Sequence, residues 1–517
     1  MRSCVGCLIA LVVVGFAGAG PCAGPTEPVA SWVYPYLDEM MLLELGPRFP
    51  VLTGPYSRMD VAAWLAGATR ALPQGRGGRA VWLHAMLLEE FAPEIAFSAI
   101  GSCSTSGVSS SAPGCAATLS ARLGSRLETD RRVKPEALLG LAVSTRQGFD
   151  LWTRLRVSAN APELHRVETR PWREGWRASL DQGGVDYHSG VFSVFVGRDE
   201  IAWGASRELG LLLSGSAPSA DMIRFSARTR KLAFTSFHSK LRRGQGDPWS
   251  PVVARFTAGH RLELLLGKRL DLSVSEVIVY GGVGRGLEPA YLNPLTALYA
   301  EQWNSGRDDN VLMGGDFSLL FPGRAEVRGE IVVDDFQIDA GGEPQEMGAG
   351  LSLRVANPLL SCGSILSSSY YLVTNRTYGH GVAWNRMVQE GRPMGYPEGP
   401  DGDAFNIRAL ARVGRAWSVE LAYTLSRRGE GRIDDLQDKP GRSLRFPSGV
   451  VETGRTVTLE TIWRPFHALG VTARGAWSEL ENAGNVRGAG EDRLWLSLKL
   501  EYTLRTARVW AGEGTGD

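Results

Sequence analysis

At 517 residues, with 56 Lys and Arg against 55 Asp and Glu, the chain carries a formal net charge of +1. That balance supplies no basic field for nucleic acid, which is not expected as a partner. Apolar residues make up 44% and charged residues 21%. These proportions exclude a bundle of long apolar membrane helices but suit strands that alternate an apolar face with a polar one. Glycine is the outlier at 63 residues, well above the roughly 7% of an average chain; spread without a collagen period, it points to many turns and bulges.

Residues 1–24 read as a cleaved secretory signal peptide. Arg2 gives a positive start, Leu8 to Ala17 is apolar, and Ala17-Gly18-Ala19 offers small residues for cleavage. A membrane anchor would need an apolar run about twice as long. Cys22 follows Pro21, a poor lead-in for lipoprotein processing.

Residues 29–95 read as a helical periplasmic segment. Tyr36, Leu37, Met40, Met41 and Leu43 to Leu45 recur at helical spacing before the breakers Gly46-Pro47. Ser57 is the N-cap expected for a second helix through Val61, Ala62, Trp64 and Leu65, with Asp60 in its first turn. A third helix is expected over Ala80 to Phe91, with Trp82, Leu83, Met86, Leu87 and Phe91 on one face. The segment resembles the short S-layer-homology-like helices that precede many exported barrels, and a plain helical spacer fits the same residues.

A Ser/Gly-rich linker is expected over 96–116, within which Cys103 and Cys115 flank a Ser/Gly-rich loop. In an oxidising periplasm these two could close a short disulfide. A zinc site would need a second Cys pair or a nearby His, and neither is present. Cys362 reads as a buried thiol.

From 117 to 517 the pattern is period two. Phe149, Leu151, Thr153, Leu155 and Val157 interleave with Asp150, Trp152, Arg154, Arg156 and Ser158. The same alternation runs through Ala325–Val333, Phe405–Val413, Trp417–Leu425 and Leu494–Leu504. Each run is about nine to eleven residues, enough for a tilted strand to cross a bilayer, where soluble strands average nearer five or six. Arg and Glu crowd the other face, as a wet lumen allows, and Trp417, Trp463, Trp477 and Tyr502 sit near strand ends as interface girdles do. No repeat of 40–50 residues suggests a propeller. The expected fold is all-β: a closed antiparallel transmembrane barrel of about sixteen to eighteen strands, located in the outer membrane, with membrane lipid and the barrel-assembly machinery as partners.

No chemistry stands out. The seven His residues fall in no ligand or triad motif. Asp308-Asp309 and Asp334-Asp335 read as solvated loop or as lumen carboxylates meeting Arg, rather than catalytic or calcium-binding pairs. Gly399-Pro400-Asp401-Gly402-Asp403 lacks the downstream bidentate Glu of a calcium loop. Gly281 to Gly286 reads as a flexible loop, because no Lys-Ser/Thr or helix pattern follows it. No catalytic residue, metal or cofactor is expected.

Gly197-Arg198-Asp199-Glu200-Ile201-Ala202-Trp203-Gly204, followed by Leu211 to Pro218, resembles the capsule assembly protein Wzi family. His260-Arg261-Leu262, Gly267-Lys268-Arg269, Glu276, Glu288 to Pro294, Asp309-Asn310, Gly315-Asp316 and Asp334-Asp335 follow in a similar order. The resemblance is specific from about 190 to 340 and diffuse afterward. It implies an eighteen-stranded outer-membrane barrel with helices at its periplasmic end, binding exported polysaccharide for capsule assembly or surface attachment. This chain departs from the family's usual N-terminal region, and Arg505 to Asp517 follows the expected last strand in place of a terminal aromatic.

Sugars are bound by aromatic faces and by charged or amide side chains. Arg285, Tyr291, Asn293, Trp303, Asn304 and Arg307 lie in one loop-rich stretch and are the expected polysaccharide contacts. The leading expectation is a non-enzymatic polysaccharide-binding barrel. The alternative is a diffusion channel for small solutes.

Overall fold

A strand that crosses lipid finds no water to satisfy an open edge, and among the described residues the barrel wall leaves none open. The computed structural model describes residues 25–69, 79–102, 115–129, 132–165, 167–173, 175–242, 253–335, 345–357, 363–435 and 445–510. The signal-peptide reading, Cys103 and Cys362 lie outside the described residues. Four helices come first: α1 (Val33–Leu42), α2 (Arg58–Ala68), α3 (Arg79–Glu90) and α4 (Ala92–Ser102).

Eighteen strands that follow form one closed sheet. They begin with β1 (Cys115–Glu128), β2 (Val133–Thr145), β3 (Phe149–Ala159), β4 (Trp176–Ser189), β5 (Phe192–Asp199) and β6 (Ala220–Arg228). Next come β7 (Leu232–Leu241), β8 (Val253–Leu266), β9 (Leu270–Val283), β10 (Asn310–Phe321), β11 (Ala325–Asp335) and β12 (Glu346–Ala356). The last six are β13 (Ile365–Val373), β14 (Gly402–Val413), β15 (Trp417–Arg428), β16 (Glu452–Phe466), β17 (Leu469–Glu481) and β18 (Gly490–Trp510). Every neighbour is antiparallel, and β1 closes on β18 from Cys115 opposite Trp510 to Glu128 opposite Ser497.

Period two sorts the two faces. On β18 the outward side chains Leu494, Leu496, Leu498, Leu500, Tyr502 and Leu504 are 41–61% exposed, an apolar stripe that only lipid would cover. Inward charges pair across strands instead: Arg156 lies 2.6 Å from Asp181 and 2.8 Å from Glu136, and Lys499 of β18 lies 3.7 Å from the same Glu136.

Antiparallel order puts the short turns, such as 267–269, 414–416 and 467–468, at one end. The long connections 200–219, 284–309, 374–401 and 429–451 gather at the other. In outer-membrane barrels short turns face the periplasm and long loops the exterior. The loop 284–309 carries two further helices, α5 (Pro289–Leu292) and α6 (Leu298–Ser305), the latter ended by Gly306 at φ 62°, the left-handed position that glycine fills most readily.

The helical segment packs around Leu37, Tyr56, Leu65, Leu83, Leu87 and Phe91, all buried. Ser57 caps α2 by accepting from the amide of Asp60 at 3.4 Å. The segment then enters the lumen from the short-turn end: Glu39 meets Arg412 of β14 at 3.2 Å, and Arg48 meets Glu326 of β11 at 3.2 Å.

Three sequence expectations shift. The helices continue to Ser102, past residue 96 where the linker is expected, because Ile95 still packs on the helical core. Gly281 and Gly282 belong to β9 rather than to a flexible loop; a Cβ at Gly281 would come within 2.7 Å of the Ala254 carbonyl on β8. The last strand does not stop near Leu504 but pairs with β1 as far as Trp510. Its outward positions turn polar at Thr506 and Arg508, as a strand does on leaving lipid, and this hides its end from an apolar pattern.

Candidate functional site

The lumen is stopped from both ends. From the short-turn end, the extended segment after α1 docks on inward residues of β8, β9 and β10. Glu263 accepts from the amide of Leu52 at 2.8 Å and from Thr53 Oγ1 at 2.5 Å, and Asp271 accepts from the amide of Val51 at 2.9 Å. Arg261 ties this seam together, donating to both oxygens of Asp316 at 2.7 and 2.9 Å, to Thr53 Oγ1 at 2.7 Å and to the Leu52 carbonyl at 3.0 Å.

From the long-loop end, loops 200–219 and 374–401 fold inward. Trp203, Leu211, Leu212 and Leu213 from the first and Tyr378, Met387, Met394 and Tyr396 from the second form one buried cluster. It rests on the inward side chains Val277, Val279, Leu312 and Val332 of the wall. Tyr378 Oη donates to the Leu211 carbonyl at 2.5 Å and the Ser214 amide to the Met394 carbonyl at 2.7 Å, so the two loops also hold each other. Thr53-Gly54 pairs as a short strand with Ala202-Trp203, where the stopper from the short-turn end meets the one from the long-loop end.

The stoppers join again through charge. Arg207 of loop 200–219 donates to both carboxylate oxygens of Asp38 on α1, at 2.8 and 3.0 Å. Arg354 reaches the same carboxylate at 3.1 Å. Burial alone would raise the Asp38 pKa, but the guanidiniums of Arg207, Arg354 and Arg328 together hold it well below the ordinary carboxylate range. Beside α1 remains a cavity of about 720 Å³ lined by both signs of charge, among them Arg122, Arg154, Arg464, Lys499, Glu420 and Glu460.

Several residues that carry the family resemblance serve these stoppers. Asp199 accepts from Thr26 Oγ1 at 2.9 Å and Glu200 from the Val29 amide at 2.7 Å. Trp203 packs edge-on against Phe237 at 5.3 Å. Arg261 and Asp316 make the seam described above. Asp334 accepts from the Tyr378 amide at 2.5 Å. Asp401 is likewise engaged within the loops, accepting from the amides of Gly431 at 2.7 Å and Ser448 at 2.9 Å.

The six expected sugar contacts share the loop 284–309, but they divide in kind. Arg285 grips the buried Asp309 at 2.5 and 2.7 Å and lies 4.8 Å over the ring of Tyr280. Tyr291 is buried and donates to Asp309 at 2.9 Å. Arg307 pairs with Glu288 at 2.9 Å; burial pulls the Glu288 pKa upward, and Arg307 and Arg285 hold it below its usual value. Asn293, Trp303 and Asn304 are exposed. Cys115 opens β1, half-buried, and its expected partner Cys103 lies outside the described residues.

Among the described residues, one group has metal-ligand spacing: Asp150, Asp186 and His188 bring ligand atoms within 4.8 Å of one another. His188 Nδ1 sits 3.1 Å from Asp150, so an imidazolium can supply there the positive charge a cation would.

Local sequence gave no sign of Asp38 or Arg207, which are 169 residues apart. Trp203 and Arg261 were visible only inside the family resemblance.

No protein-family profile matches the chain, and no curated protein matches it in sequence. In structure it has the fold of Wzi, an outer-membrane protein involved in group 1 capsule assembly in Escherichia coli and described as a carbohydrate-binding β-barrel. The two agree with a TM-score of 0.63 at 11% identity over 93% of this chain and 99% of that one. The outer-membrane protein OprD of Pseudomonas aeruginosa gives a TM-score of 0.44 at 11% identity, over 76% of this chain and 94% of that one. The chain thus has the fold of an outer-membrane β-barrel.

Proposed function

We propose that this barrel is a non-enzymatic outer-membrane protein that binds exported polysaccharide at the cell surface, for capsule or exopolysaccharide assembly or attachment. The observation that carries the reading is the double stopper: a lumen filled from both ends suits a binder better than an open diffusion channel. The carbohydrate binding named for Wzi agrees with it. The polar edge of loop 284–309 is the proposed contact, with Asn293, Asn304 and Arg307 toward sugar and with Arg285 and Tyr291 holding the loop in shape. An arginine there would favour an acidic glycan.

The charged cavity beside α1 favours a second reading, a solute channel that opens when the helical segment shifts. Two measurements separate them. In planar bilayers the whole mature protein is expected to pass little steady current, and on cells its deletion is expected to shed polysaccharide into the medium. A large steady conductance with unchanged surface polysaccharide would support the channel instead.

A further inference from the structure

The loop 284–309 leaves the barrel on the outside of the wall. On β8 and β9 the odd-numbered side chains point inward: Arg261, Glu263 and Asp271 meet the helical segment, and Val277 and Val279 meet the inward loops. The even-numbered ones therefore point outward, and Leu272 and Val274 are exposed there. Above them Phe256, Ala258, Ile278 and Tyr280 are also outward, yet buried, beneath Tyr291 and Leu298 of the loop. This explains the unbroken apolar run Val277-Ile278-Val279-Tyr280, a strand stretch covered on both faces.

Counting from the short turns places the loop at membrane depth. On β15 the first five outward positions, Trp417, Val419, Leu421, Tyr423 and Leu425, are apolar. Arg427 then ends the run, paired to Asp403 at 2.9 Å. The same count on β9 covers Leu270, Leu272, Val274, Glu276 and Ile278, so Glu276 falls within the band. A carboxylate facing acyl chains there is costly. Glu276 is instead taken up by the first amides of α6, Leu298 and Tyr299, at 3.0 and 3.4 Å, and by His260 Nδ1 at 3.4 Å.

The other side of the loop is apolar and uncovered. Leu295 is 84% exposed, Trp303 78%, Tyr299 50% and Leu292 42%. On α6 the residues Leu298 and Gln302 turn toward protein, Leu298 into the wall cluster and Gln302 to the Asp309 carbonyl. Tyr299 and Trp303 share a different flank at i, i+4 spacing. Asn304 lies on another, where the polar edge begins.

We propose that loop 284–309 is a membrane-interface element that seats Leu292, Leu295, Tyr299 and Trp303 in the outer leaflet beside β8–β10. The occupant is lipid because this surface continues the lipid-facing stripe of Leu272 and Val274 on the same wall, at the depth where Trp and Tyr collect in membrane proteins. The role goes beyond polysaccharide binding and assigns Trp303 to lipid.

The test uses the whole mature protein in phosphatidylcholine vesicles with brominated acyl chains, comparing tryptophan emission of the wild type, Trp303→Phe and Trp172→Phe. The signal lost in each variant isolates one indole, and Trp172, 74% exposed in the long connection between β3 and β4, is the aqueous control. The Trp303 signal is expected to be quenched by brominated lipid and protected from iodide in the buffer, and the Trp172 signal to behave the opposite way. A Trp303 signal that follows iodide and ignores brominated lipid overturns the proposal. So does one that follows neither quencher; a dimer mass for the detergent-purified protein would then give the surface to a second copy.

Discussion

Arg207 and Asp38 form a two-pronged ion pair inside the lumen, joining a loop from the long-loop end to a helix that enters from the opposite end. Both side chains are largely withdrawn from solvent, at 12% and 13% exposure. A buried pair of this kind adds little over a well-packed apolar substitute, but breaking it strands a charge. Asp38→Asn is therefore expected to lower the local opening free energy of α1 and of loop 200–219 together, by about 3–5 kcal/mol. Hydrogen exchange on both segments measures it. Arg207→Ala should add far less to Asp38→Asn than its own effect; full additivity would mean that the two stoppers are not coupled.

The same pair predicts a pH dependence. The Asp38 carboxyl is held well below its ordinary value of 3.8 when folded. A depressed acid contributes stability that is present above the unfolded-state value and lost as pH falls toward the folded one. Protection of Val33–Leu42 should hold from pH 7 to pH 5 and decline below about pH 4, and in Asp38→Asn that decline should flatten. Exchange rates corrected for intrinsic pH dependence check this.

Trp203 is the largest fully buried side chain of the apolar stopper. Trp203→Ala is expected to cost about 3–5 kcal/mol and to loosen loop 200–219 rather than the wall, whose ladder it does not enter. Single-barrel current recordings should show new flickering openings. A silent, fully closed variant would show that the loop does not depend on this indole.

Arg285 holds Asp309, a carboxylate with no exposed side-chain surface. Arg285→Ala leaves that charge buried without its main partner, so loop 284–309 should detach, at a cost of about 3 kcal/mol, and become cleavable by added protease. Arg285→Lys keeps the charge but not the fork and should restore the loop only in part.

Exposed polar groups of the same loop should matter to ligand rather than to fold. Arg307→Ala and Asn304→Ala are each expected to weaken binding of an acidic polysaccharide by roughly tenfold, equivalent to about 1.4 kcal/mol, with unchanged thermal unfolding. Unchanged affinity in both removes this edge from the sugar site.

Cys115 at the start of β1 tests the expected disulfide with Cys103. Alkylation of the mature, unreduced and denatured protein should label Cys362 alone, and reduction should expose two further thiols. Labelling of all three without reductant rules the bridge out.

The sequence by itself determined the class of fold, the faces of the clearly alternating strands and the first three helices. Side-chain alternation is a two-residue rule written between near neighbours, so Leu494 to Leu504 could be assigned to one face of β18 without any knowledge of β17. The helical spacing of Leu83, Leu87 and Phe91 and the cap at Ser57 are equally local. Only the tertiary structure decided where the long connections go. Leu211 to Leu213 form an apolar run with no period, and nothing near them in the chain says that Val277 and Leu312 will receive them. Asp38 gains its meaning from Arg207, 169 residues away. Loop 284–309 turns outward because Ile278 and Tyr280 make the outer wall apolar just where Glu276 needs cover, a match between strand face and loop that arises only once the barrel has closed.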